Sequence, residues 1–136
     1  MPKSKTSPQT VLVVDDDEAI LSFLSRLLSS KYTVLLAPSG EDALRQSREH
    51  KGTVHLLLSN VQMPGISGVE LATQLNLERP DMHVMLMSGY ASGMLVLNTG
   101  WHFLHKPFIP SQLLDLISSI LNQPSLADAP DIDEQR

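Results

Sequence analysis

The strongest constraint on the fold is an alternation of two kinds of segment along the chain. The first kind is short, apolar and rich in β-branched residues. It recurs as Val11-Leu12-Val13-Val14, Thr33-Val34-Leu35-Leu36, Val54-His55-Leu56-Leu57-Leu58 and His83-Val84-Met85-Leu86-Met87, with a weaker His102-Phe103-Leu104. Nearly continuous apolar runs of this length suit strands buried on both faces of a parallel sheet. The second kind has helical spacing. Ile20, Phe23, Leu24, Leu27 and Leu28 draw one apolar stripe, and Leu113, Leu116, Ile117, Ile120 and Leu121 repeat it near the end. Ser39 and Ser67 each precede an acid by three residues (Asp42 and Glu70), which marks a helix start. The helix after Ser67 stops before Pro80, because proline disfavours helix in its predecessor.

Five strands, each followed by a helix, predict an α/β fold: an open parallel sheet with helices on both faces. At 136 residues the chain fits one domain with a single sizeable core. Residues 1–8 read as a flexible lead, residues 9–123 as the domain, and residues 124–136, rich in Asp and Pro, as a disordered acidic tail. A net charge of −5 argues against direct nucleic-acid binding, which wants a basic face for the phosphates. No cysteine is present for a disulfide or thiolate metal site. The polar start is unlike a secretory signal, and no apolar run reaches the length that spans a bilayer, so a cytoplasmic location is expected.

Open α/β sheets bind ligands at the carboxyl ends of their strands. The polar residues expected at that edge are Asp15-Asp16-Asp17, Ser59-Asn60, Ser88-Gly89 and His105-Lys106-Pro107, while the second strand ends in Ala37-Pro38 and contributes none. Carboxylates, a hydroxyl and a lysine on one edge suit a divalent cation with a phosphoryl group. Mg2+ takes hard oxygen ligands, lysine pairs with a phosphoryl oxygen, and a hydroxyl donates to another. Each element alone also has a plain structural reading: the acidic triplet caps a helix, Ser-Gly makes a turn, and the lysine is solvated. The five histidines, His50, His55, His83, His102 and His105, show no ligand spacing and read as surface or strand-end residues.

The order "VLVVDDDEAI", "LLLSNVQMPGISGVEL", "VMLMSGYA", "FLHKPF" resembles the receiver domain of two-component response regulators, over roughly residues 9–123. The resemblance implies a flavodoxin-like five-stranded sheet of order 2-1-3-4-5 and a phosphorelay signalling domain rather than a turnover enzyme. Its partners would be a histidine kinase or phosphotransfer protein, or a downstream target. It implies Mg2+ as cofactor, held by Asp16 directly, by Asp15 as acidic companion, and by the Gln62 backbone carbonyl. Ser88 would be the hydroxyl that follows the phosphoryl group, Lys106 its cationic partner, and Phe103 the aromatic switch. The Lys106–Pro107 bond is commonly cis in the family.

Two departures stand out. Asn60 occupies the position of the aspartate that the family phosphorylates. Its neutral amide is a poor nucleophile, and the lost charge predicts weaker Mg2+ binding. The segment 91–100, between the fourth and fifth strands, is about one helical turn shorter than usual and unusually apolar. Met94, Leu95 and Leu97 either pack inward or form a partner face, with a homodimer through the helix 4–strand 5–helix 5 face as one option. Three readings follow. One is a receiver unable to accept phosphate, acting through protein contacts; another is an ordinary phosphoryl-accepting regulator carrying an engineered Asp-to-Asn change. The third is a Mg2+-dependent phosphatase with Asp15 as nucleophile, for which further motifs are lacking.

Overall fold

The computed structural model describes residues 7–89 and 100–122. The element order is β1 (Thr10–Val14), α1 (Glu18–Leu28), β2 (Thr33–Ala37), α2 (Gly40–Glu49), β3 (Leu56–Asn60), α3 (Gly68–Glu78), β4 (His83–Ser88), β5 (His102–His105) and α4 (Pro110–Leu121). The strands form one parallel sheet ordered β2-β1-β3-β4-β5, the flavodoxin-like topology.

Strand periodicity builds the two sides of the core. Leu12, Val14, Leu57 and Leu86 point to one face, where they pack with Ala43 and Leu44 of α2 and Leu71 and Leu75 of α3. Val11, Val13, Leu58 and Met87 point to the other, against Leu24 and Leu28 of α1 and Leu113 and Ile117 of α4. Because successive residues alternate faces, a one-residue slip would exchange these sets and break both clusters. Only the three inner strands are buried throughout their apolar length. β2, at the sheet edge, is exposed at Thr33 and half-buried over Val34–Leu36, so its reading as a strand buried on both faces is corrected by its place in the strand order.

The helix starts follow capping chemistry. Ser39 accepts from the Asp42 N–H at 3.1 Å, and Ser67 and Glu70 form a reciprocal capping box. Pro110 opens α4 at a position where its missing N–H costs nothing. β3 begins at Leu56 rather than Val54. At His55 the N–H still donates to the Thr10 carbonyl (2.9 Å), but the return bond from the Thr10 N–H goes to the imidazole Nδ1 (2.9 Å). A side chain thus replaces the carbonyl that would have extended the ladder.

The helix expected between β4 and β5, Met94, Leu95 and Leu97 with it, lies outside the described residues, as do the acidic tail and most of the lead. The dimer face drawn through that helix therefore falls partly outside them too. No helix among the described residues is long and apolar enough to cross a membrane.

Candidate functional site

Parallel strands carry their last residues to one edge, and the sheet register sets which ones meet. Val14 aligns with Ser59 across β1 and β3, Asn60 with Met87 across β3 and β4, and Ser88 with His105 across β4 and β5. Asp15, Asn60, Ser88 and Lys106 thereby arrive at neighbouring strand ends. The β2 end, expected to contribute nothing, supplies a backbone acceptor: the Ala37 carbonyl takes the Asp15 N–H at 3.2 Å.

Lys106 joins three of these strand ends. Its Nζ donates to Asp15 Oδ2 at 3.2 Å and to Asn60 Oδ1 at 3.1 Å. Asp15 is 1% exposed, so this carboxylate needs partners. Its other oxygen, Oδ1, accepts the Asp17 N–H at 3.0 Å. Asp16 is exposed on the same loop, and Asp17 caps α1 by accepting from the Ala19 and Ile20 N–H groups. The acidic triplet therefore divides its labour, and the helix-capping reading holds for Asp17.

Asn60 donates as well as accepts. Its Nδ2 gives a 2.7 Å hydrogen bond to the Gln62 carbonyl, while the Gln62 residue is exposed. The backbone beneath is pinned from several sides. Ser59 Oγ donates to the Asn60 carbonyl (2.9 Å), the Val61 N–H to the Met87 carbonyl (2.9 Å), and the Gly68 N–H to the Val61 carbonyl (2.8 Å). A Cβ at Gly68 would lie 2.2 Å from the Asn60 carbonyl oxygen, so α3 starts this close to the strand end only with glycine there. Gly65 turns the intervening loop with φ of +81°.

Ser88 is buried at the close of β4, and its carbonyl accepts the Lys106 N–H at 2.9 Å. The Lys106–Pro107 peptide is cis. Phe103 is half-buried against the α2/α3 side of the core and meets His105 edge to face, ring centroids 4.9 Å apart. The structure thus links Asp15, Asn60, Gln62 and Lys106 by hydrogen bonds, with Asp16 on the adjoining loop, Ser88 on the adjoining strand end and Phe103 on β5, in register with Leu86.

Two contributions were not foreseen: the Ala37 carbonyl and the Asn60–Gln62 bond. A backbone acceptor carries no side-chain signal. The asparagine bond had one, since an amide closing a strand before a tight turn readily bonds the backbone two residues on.

Receiver domains generally bind Mg2+ at this edge. The donors expected for it here are Asp15, Asp16 and the Gln62 carbonyl. The Gln62 oxygen already accepts from the Asn60 amide, which presents N–H hydrogens, positive ends of a dipole, toward any approaching cation. Among the described residues no group of three or more His, Asp or Glu side chains is placed to hold a metal. As arranged, this set does not fit a divalent cation.

The fold and this edge define a member of a signalling class rather than an isolated case. The chain belongs to the response regulator receiver domain family, whose model matches residues 11–118. It is 35% identical over 119 residues to the sensor kinase CckA of Brucella abortus, a match taking in 84% of this chain and 13% of that protein. It is 33% identical over 118 residues to the two-component response regulator ARR14 of Arabidopsis thaliana, 83% of this chain and 31% of that one. Among solved structures, the receiver domain of the hybrid histidine kinase CckA matches at a TM-score of 0.73 and 37% identity, covering 83% of this chain and 99% of that chain. The chain spans less than a third of the length of either of these curated relatives.

Proposed function

We propose that this chain is a two-component receiver domain, occupying residues 9–123, that does not accept a phosphoryl group and signals through protein contacts. The observation that carries the reading is Asn60 itself. It closes β3 at the position that the family resemblance assigns to the phosphorylated aspartate, and its only side-chain oxygen accepts from Lys106. An amide oxygen is neutral and a poor nucleophile, and this one is turned to an ammonium group.

The remaining parts keep their places in this reading. Asp15 and Asp16 form the acidic pair, Ser88 and Lys106 are the hydroxyl and cation that would attend a phosphoryl group, and Phe103 is the aromatic switch. With the acceptor replaced, a histidine kinase, a phosphotransfer protein or a downstream target would meet a surface that phosphodonors do not alter.

Intact-mass measurement after incubation with acetyl phosphate and Mg2+ tests this directly. The expected result is no adduct on the chain and a single phosphoryl adduct on Asn60→Asp. An adduct on the unaltered chain overturns the proposal. If that adduct maps to Asp15 and a phosphate ester is turned over, the phosphatase reading replaces it.

A further inference from the structure

The Asn60 amide has one donating end and one accepting end, and the site uses both. Oδ1 faces the Lys106 ammonium at 3.1 Å, and Nδ2 faces the Gln62 carbonyl at 2.7 Å. Rotating the amide by half a turn would set N–H against ammonium and oxygen against oxygen. The partners therefore fix its orientation. Lys106 continues the chain of bonds to Asp15 Oδ2, and Asp15 Oδ1 holds the Asp17 N–H. The ends of β1 and β3 and the residue after β5 are closed upon one another by this chain's own donors.

A carboxylate at position 60 could not make the same closure. Both its oxygens accept, so the one replacing Nδ2 would face the Gln62 carbonyl oxygen without a hydrogen between them. Two oxygens at that distance, one bearing charge, repel unless a cation lies between them. The family's aspartate thus suits a site completed by Mg2+, and this asparagine suits one completed by hydrogen bonds.

We propose that the Asn60 N–H group takes the cation's part at the Gln62 carbonyl, so that this receiver holds its site geometry independently of Mg2+. The inference rests on the assignment of position 60 made above and extends it. The substitution then does two things at once: it removes the nucleophile, and it supplies the positive group that keeps the loop after β3 in place. Such a domain would present one conformation whatever the local Mg2+ concentration.

The test is Mg2+ titration of the full chain by calorimetry, paired with thermal unfolding in EDTA and in millimolar MgCl2. The expected results are no saturable Mg2+ binding and no shift in unfolding midpoint for the unaltered chain. Asn60→Asp should unfold at lower temperature than the unaltered chain in EDTA. It should recover with MgCl2 and show saturable Mg2+ binding, the direction that a restored carboxylate next to a dication dictates. Asn60→Ala, lacking both amide and charge, should be less stable in EDTA and gain nothing from MgCl2. Saturable Mg2+ binding or stabilisation of the unaltered chain overturns the proposal, and so does an Asn60→Asp variant as stable as the unaltered chain in EDTA. If Asn60→Asp does not fold at all, calorimetry on the unaltered chain alone decides. These readouts contain no phosphodonor, so a phosphoryl adduct would sink the functional reading while leaving Mg2+ independence to stand or fall separately.

Discussion

Lys106 Nζ sits 3.2 Å from Asp15 Oδ2, and the two side chains differ sharply in exposure: 26% for the lysine, 1% for the aspartate. The partner that keeps contact with water is thus the cation, while the anion depends on protein groups for its solvation. Removing the two charges should therefore have unequal consequences.

Lys106→Met leaves the Asp15 carboxylate buried and held, among the described residues, by the Asp17 N–H. Breaking a fully buried pair costs about 3–5 kcal/mol, and water reaching this half-open site should bring the cost down to about 2 kcal/mol. Asp15→Asn leaves a lysine that still has Asn60 and solvent, and should cost on the order of 1 kcal/mol. Urea unfolding midpoints at constant slope measure both. Equal losses, or a larger loss in Asp15→Asn, would contradict the asymmetry.

How much of this was readable from sequence differs by the kind of contact. The open parallel sheet followed from Val11–Val14, Leu56–Leu58 and Val84–Met87, because apolar runs of strand length separated by helical stripes leave few topologies, while the order of its strands was implied by the family resemblance. The polar residues of the carboxyl edge followed in turn, since parallel strands all end on one side. That the Asn60 amide can reach Lys106 follows from their shared edge, but its bond to the Gln62 carbonyl does not. Lys106 is 46 residues away, and which end of the amide faces it depends on angstrom-scale placement that spacing does not encode. β3 starts two residues later than its apolar run, because the His55 ring takes over a backbone bond. Edge exposure of β2 was missed because apolarity alone does not tell an inner strand from an outer one. Arg79 gave the weakest signal of all: in sequence it is one more cation before a proline.

That arginine is the best-connected side chain at the opposite edge of the sheet. Its Nε donates to Ser47 Oγ (2.8 Å), its Nη2 to the Ser47 and His50 carbonyls (2.8 and 3.0 Å), and its Nη1 to the Gly52 carbonyl (2.9 Å). These carbonyls belong to the end of α2 and the turn beyond it, where helix acceptors lack intrahelical partners. Arg79→Ala should cost about 2–3 kcal/mol, the range for losing charge-assisted bonds to half-buried acceptors. Arg79→Lys should recover less than half, because one ammonium cannot reproduce the fork. By comparison Arg48, whose exposed pair with Glu78 links α2 to α3, should lose far less on change to Ala, because solvent screens the pair. Denaturant titrations of the three variants rank them, and an Arg48 effect as large as that of Arg79 would refute the assignment.

The strand starts predict a specific acid response. Burial lowers the affinity of His55 for a proton, and nearby His83 lowers it further; His102 is depressed by the same two causes in the same order. The geometry agrees for His55, whose Nδ1 accepts the Thr10 N–H and would turn a donor toward it on protonation. Since the unfolded chain binds these protons more readily, stability rises with pH across the interval between folded and unfolded values. The contribution is fully present above the ordinary histidine value of 6.5 and is lost as pH falls below it. Asp42 and Glu78, held below the usual carboxylate range by Arg45 and Arg48 respectively, lose their contributions only at lower pH, so the two intervals separate. Unfolding midpoints measured stepwise downward from neutral pH should show a first decline beginning near 6.5. His102→Gln should flatten that decline, and His83→Gln should shrink it by relieving both neighbours. A midpoint that stays level until the carboxylates titrate, or an unchanged slope in His102→Gln, would show that these histidines do not control it.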